Sequence, residues 1–78
     1  MKISEVHPLS DFTLQIISED GRIGIFDVNP YFKYDIFSLL KNEAEFIKIF
    51  NGSYFIEWSC GADLSADTIE ANWQLRSM

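Results

Sequence analysis

Apolar and polar residues alternate through Phe12–Glu19 and again through Arg22–Asp27, the period that places successive side chains on opposite faces of a half-buried strand. Asp20-Gly21 stands between the two runs and predicts a hairpin, since that dipeptide supplies the positive φ angles of a type I′ turn. A two-residue loop would set Glu19 opposite Arg22, Ser18 opposite Ile23, Ile16 opposite Ile25 and Leu14 opposite Asp27. Leu14, Ile16, Ile23 and Ile25 would then share the core face. Upstream, Lys2–His7 alternates loosely around Ile3 and Val6 and predicts an edge or first strand that Pro8 terminates, because proline cannot donate to a ladder.

Val28-Asn29-Pro30-Tyr31-Phe32-Lys33 breaks the pattern, as Asn-Pro disfavours helix before the proline and starts a turn. A short helix is predicted from an N-cap at Asp35, with Ile36, Leu39 and Leu40 on one face. Asn42-Glu43-Ala44-Glu45 reads as a second cap with a glutamate at N3. Phe46–Phe50 fits a helix stripe or a strand equally well; Asn51-Gly52 decides for a hairpin. Its turn would pair Ile49 with Tyr54, Ile47 with Ile56 and Lys48 with Phe55. Ile47, Ile49, Tyr54, Ile56 and Trp58 would face one way, and Phe46, Phe50 and Phe55 the other. The stretch Tyr54–Ser65 then passes through a glycine turn into a last helix, capped by Ser65, with Asp67 in its first turn and Leu64 stapled to Ile69. Ile69, Trp73 and Ala66 form the expected buried stripe of that helix.

These elements predict one α+β domain over residues 1–78, ordered β-β-β-α-β-β-α. It comprises an antiparallel sheet of two hairpins plus an N-terminal strand, a short middle helix and a C-terminal helix. Strand order between the hairpins and the oligomeric state are left open by the pattern.

At 78 residues the chain has room for one core and buries about 60 to 65% of its unfolded surface. Seven Phe, three Tyr and two Trp offset that shortness, since each buried ring removes about 150 to 250 Å² from water. The net charge of −6 and pI near 4.4 argue against direct nucleic-acid binding, which draws its affinity from Lys and Arg. They favour association with a basic partner. No apolar run is long enough to span a bilayer, and the start of the chain lacks the apolar core of a signal peptide. One cysteine forms no internal disulfide, so a reducing cytoplasm is the expected location.

Candidate chemistry is sparse. Cys60 lies in a turn ahead of the last helix, where a thiol can gain nucleophilicity, but His7 is the single imidazole and no catalytic set forms. Asp63, Asp67 and Glu70 gather near one helix start without a histidine, so neither a metal nor a cofactor is expected. Asp63, beside Gly61, and Asp27, before Asn29-Pro30, suit binding of exposed turn amides. Tyr31, Phe32 and Tyr34 put three rings in one loop, either as core cover or as aromatic anchors of an interface.

Val6, Leu14, Asp20-Gly21 leading to Asp27, Phe46, and Ile56-x-Trp58 followed by Gly61-Ala62-Asp63-Leu64 form a set that resembles the bacterial domain-of-unknown-function family 2442 (DUF2442) over nearly the whole chain. Ser59 stands where that family usually carries proline. The resemblance implies a small α+β domain with no assigned activity and no catalytic residues to carry over. Some members look like partners encoded beside a small toxin-like protein and others are followed by a helix-turn-helix segment, so the resemblance carries over no direct DNA binding to residues 1–78. Two functions of different class follow. One is an acidic interaction or regulatory, antitoxin-like partner of a small basic protein encoded nearby, binding through Tyr31, Phe32, Tyr34 and Asp63. The other is a small-ligand or enzymatic domain using the loop aromatics with Asp63 and Cys60.

Overall fold

The computed structural model describes residues 1–76. Its strands are β1 (Ile3–Pro8), β2 (Thr13–Ser18), β3 (Ile23–Asp27), β4 (Ile49–Asn51), β5 (Phe55–Trp58), β6 (Asp63–Ser65) and β7 (Gln74–Leu75), and its helices are α1 (Asp35–Ser38), α2 (Glu43–Phe46) and α3 (Ala66–Asn72). The architecture is α+β, as the pattern predicts, with the antiparallel strands divided between two sheets ordered β1-β2-β3-β7 and β4-β5-β6.

The first hairpin forms where Asp20-Gly21 places it, but one residue out of the expected register. Ile17 faces Ile23, Ile16 faces Gly24 and Leu14 faces Phe26. Only Gly21 takes a positive φ, of 91°, so the loop is the three-residue kind that ends in a glycine bulge rather than a type I′ turn. The Ser18 N–H donates to the Arg22 carbonyl at 2.9 Å, and the Gly21 N–H to the Ser18 carbonyl at 3.0 Å. Because strand side chains alternate, this single step turns Ile23 and Ile25 outward and brings Gly24 and Phe26 in, to join Leu14, Ile16 and Ser18. The expected inward pair Ile23 and Ile25 is thereby corrected. On β1 a bulge between Ile3 and Glu5 lets Ile3 and Val6, three residues apart, both turn inward.

The second hairpin is out by an even step. Ile49 faces Trp58 and Asn51 faces Ile56, and the turn moves on to Ser53-Tyr54, with Ser53 at φ 74°. Asn51 is withdrawn from the turn by its amide, which donates to the Ile3 carbonyl at 3.1 Å and accepts from the Ser53 N–H at 2.9 Å. An even step preserves facing, so Ile49, Ile56 and Trp58 stay on the inner side, and Phe50 and Phe55 on the outer, as expected. Ile47 and Tyr54 do not join the inner set; both are exposed. Phe46 is a buried residue of α2 rather than a strand residue.

A third hairpin was not foreseen. Trp58 and Ala62 close a loop over Ser59-Cys60-Gly61 with Gly61 at φ 99° and the same bond pattern as the first, Trp58 N–H to Ala62 carbonyl and Gly61 N–H to Trp58 carbonyl, both 2.9 Å. Residues read as the approach to the last helix thus form β6, paired to β5.

The middle segment is a chain of short turns. A 3₁₀ turn over Asn29–Lys33 has Pro30 in its first turn, α1 follows, and a second 3₁₀ turn covers Leu39–Lys41. Tyr34, not Asp35, occupies the N-cap of α1. The buried residues here are Phe37 and Leu40, while Ile36 and Leu39 are exposed, because a segment that switches between α and 3₁₀ pitch does not hold one i, i+3, i+4 stripe. The Asn42 cap forms, its side chain accepting from the Ala44 N–H at 3.0 Å, and so does the Ser65 cap, which accepts from the Thr68 N–H at 3.1 Å. Ala66 and Ile69 are the buried face of α3. Trp73 lies beyond the helix end, half-buried, with its ring where a Gly24 Cβ would lie 2.4 Å from Cε3; the ring covers the gap that glycine leaves in β3.

Both inner sheet faces, Phe37, Leu40, Phe46 and Ile69 form one core. Trp58 lies at its centre, 1% exposed, with Nε1 donating to the Phe46 carbonyl at 2.8 Å and its ring stacked 6.0 Å from Phe46 and edge-on to Phe37 at 6.1 Å. Phe12, at a left-handed φ of 59°, fits edge-on between Phe32 and Phe46. That conformation is costly for a bulky residue and is held by the Val28 N–H, which donates to the Phe12 carbonyl at 3.1 Å.

Candidate functional site

The sequence singled out four binding residues, and the structure places them in two separate regions. Tyr31, Phe32 and Tyr34 lie in and after the Asn29–Lys33 turn. Phe32 is packed against Phe12 at 5.2 Å, and Tyr31 against Phe26 and Phe37 at 5.7 and 5.4 Å. Tyr34 is the exposed member, 51% accessible, with the Lys33 ammonium 5.3 Å from its ring centroid. Tyr31 and Tyr34 line an open cleft of about 370 Å³ with Phe26, Asp27, Pro30, Lys33 and Asn72. Asp27 is engaged locally, its Oδ1 accepting from the Asn29 N–H at 3.0 Å and from Asn29 Nδ2 at 2.7 Å, the turn-binding role expected of it.

Asp63 and Cys60 do not line that cleft. Cys60 is half-buried in the third hairpin loop, with Sγ 3.9 Å from the Ile36 carbonyl oxygen, and β6 separates it from α3. Asp63 is exposed on β6. Among the described residues it makes no side-chain hydrogen bond, so the amide-binding role expected of it is not seen. His7 is an exposed strand residue bonded to Glu5 at 2.9 Å. No three metal-ligating side chains converge among the described residues.

The second region is the outer face of β4-β5-β6. Phe50 faces Glu57 across one strand pair, and Glu57 faces Asp63 across the next, so Phe50, Glu57 and Asp63 form one transverse row. Phe55 lies in the neighbouring row, opposite Ser65. Phe50 is 61% exposed and Phe55 39%, and their rings are 6.4 Å apart. Phe55 rests on Gly52, where a Cβ would come within 2.2 Å of the ring. Tyr54, at the hairpin tip, is 65% exposed. Two carboxylates directly opposed across strands repel each other, and among the described residues no cation of this chain pairs with either. Sequence reasoning placed Phe50 and Phe55 on this face; the acids in line with Phe50 follow from the true register and from β6.

Other charges are paired within the chain. Arg22 bonds Asp20 through Nε at 2.9 Å and Glu70 through Nη2 at 2.8 Å, and lies 5.5 Å from the Trp73 ring centroid. The amino-terminal amine bonds Glu70 at 3.0 Å. The Ser18 hydroxyl, followed by the Arg22 guanidinium, lowers the Asp20 carboxyl to about 2. The terminal amine, followed by Arg22, holds Glu70 below its ordinary value.

Two antiparallel sheets and short helices around a single core define a small α+β domain. The chain belongs to the family described as "Protein of unknown function (DUF2442)", whose family model matches residues 3–74. No curated protein and no solved structure matches it.

Proposed function

We propose that this chain is an acidic protein-binding module, a regulatory, antitoxin-like partner of a small basic protein, with no catalysis of its own. The observation that carries the reading is the outer face of β4-β5-β6, where exposed Phe50 and Phe55 adjoin the opposed carboxylates of Glu57 and Asp63. Exposed aromatic rings in line with carboxylates are what a partner of the opposite sign buries. The net charge of −6 steers such a partner toward the domain. The unpaired Cys60 fits work in a reducing compartment. Tyr34 is a further exposed ring; Tyr31 and Phe32 serve mainly the core.

Co-expression with the protein that the adjacent gene encodes tests the reading. We expect one stoichiometric complex on size exclusion with light scattering, and its loss on Phe50→Ala/Phe55→Ala while the variant stays folded. A complex indifferent to that double substitution would reject this face.

The cleft beside Tyr31 and Tyr34 supports a second reading, a small-ligand site; its volume of about 370 Å³ lies within the range of ligand pockets. That site would not include Cys60 or Asp63.

A further inference from the structure

We infer that the row Phe50, Glu57, Asp63 is a seat for an arginine side chain presented by the basic partner. The inference rests on the reading of this face as partner-binding and specifies the group that fills it. The strand register sets the three side chains side by side, with neighbouring Cβ atoms on the order of 5 Å apart. A guanidinium lying on the Phe50 ring would reach the neighbouring Glu57 carboxylate, combining ring stacking with charge-assisted hydrogen bonds, with the Asp63 carboxylate one strand further on adding to the attraction. A lysine ammonium is a point charge without a planar face to stack on the ring.

The opposed acids are a cost to the free protein, and five of the chain's six Lys and Arg side chains are engaged elsewhere. Lys48 pairs with Glu45, Arg22 with Asp20 and Glu70, Lys2 with Glu19, while Lys33 and Lys41 lie over Tyr34 and Phe32. A second copy of this chain is a poor occupant, because it would bring its own Glu57 and Asp63 against these and add another −6 of like charge. A phosphate-bearing partner is repelled for the same reason.

The test is a ¹⁵N-resolved NMR titration of the full chain with a short peptide carrying two arginines separated by glycine, and with its lysine counterpart. We expect saturable shifts centred on Phe50, Glu57 and Asp63, with the arginine peptide bound about three- to tenfold tighter, and their disappearance in Glu57→Gln/Asp63→Asn. In the unliganded protein Glu57→Gln should raise the melting temperature, since it removes the repulsion. Equal response to both peptides, shifts spread over acids elsewhere, survival of the shifts in the double variant, or a Glu57→Gln variant no more stable than the parent would each overturn the inference. Failure of the peptide test while the protein partner still requires Phe50 and Phe55 would remove the arginine seat alone. A partner indifferent to Phe50→Ala/Phe55→Ala would remove the underlying reading.

Discussion

At the scale of single residues, Trp58 joins sequence pattern to core most directly: its ring lies between Phe46 and Phe37 and its indole N–H is satisfied by the Phe46 carbonyl. Trp58→Ala should therefore cost about 3 to 5 kcal/mol, a large share of the ~5 to 15 kcal/mol that holds a small domain together. Trp58→Phe keeps most of the ring but strands a buried carbonyl, a loss of about 1 to 3 kcal/mol. Urea unfolding of the two variants checks both, and a Trp58→Phe protein as stable as the parent would show that the hydrogen bond contributes nothing. Residue roles decided by near neighbours were legible in the sequence: the Ser65 and Asn42 caps, the Asp27 turn and the inward Trp58. Asp63 was not, because its place in a row with Glu57 and Phe50 depends on strand pairs distant from it in sequence.

At the scale of elements, both expected hairpins form, and register separates what was legible from what was not. The step in the second hairpin is even, so its inner and outer faces were read correctly apart from Phe46, Ile47 and Tyr54. The step in the first is odd, so Ile23 and Ile25 were assigned to the wrong side. Asp-Gly does not by itself distinguish a two-residue from a three-residue loop, and the choice is made by Asp20, whose carboxylate binds the Ser18 hydroxyl and the Arg22 N–H. β6 was legible in principle: Gly61 follows Trp58 at the interval by which Gly21 follows Ser18, and Ala62, Leu64 and Ala66 alternate with polar residues. Its strong Ser65 helix cap drew those residues into the helix approach instead. The register makes a direct prediction. Ile16→Ala, fully inside, should cost about 2 to 5 kcal/mol, whereas Ile25→Ala on the open side should cost about 1 kcal/mol or less. Equal losses in thermal unfolding would restore the two-residue turn.

At the scale of the whole molecule, a radius of gyration of 11.6 Å matches the ~11.5 Å of a compact chain of this length, and among the described residues no buried side-chain nitrogen or oxygen lacks a hydrogen-bond partner. The Asp20, Arg22 and Glu70 network is paired internally, and it makes stability depend on pH. Asp20 falls from an ordinary value of 3.8 to about 2 and Glu70 is also lowered, so the unfolded chain binds more protons and stability rises with pH in this range. Their contribution is present above about pH 4 and lost as pH falls towards 2. The melting temperature should drop over that interval, and the drop should shrink in Asp20→Asn; an unchanged pH profile in the variant would remove Asp20 from the account. Glu57 and Asp63 pair with no cation among the described residues, and on their face the account makes its central claim, that this face meets a basic protein. The most direct measurement is surface-plasmon kinetics against whatever protein the adjacent gene encodes, at two salt concentrations. Exposed charge steers encounter over a Debye length of about 10 Å at 0.1 M salt, and buried rings hold the complex. Glu57→Gln/Asp63→Asn should slow association and flatten its salt dependence, while Phe50→Ala/Phe55→Ala should speed dissociation and leave that salt dependence intact. No binding, or binding whose rates are unmoved by both pairs of substitutions, would contradict the account.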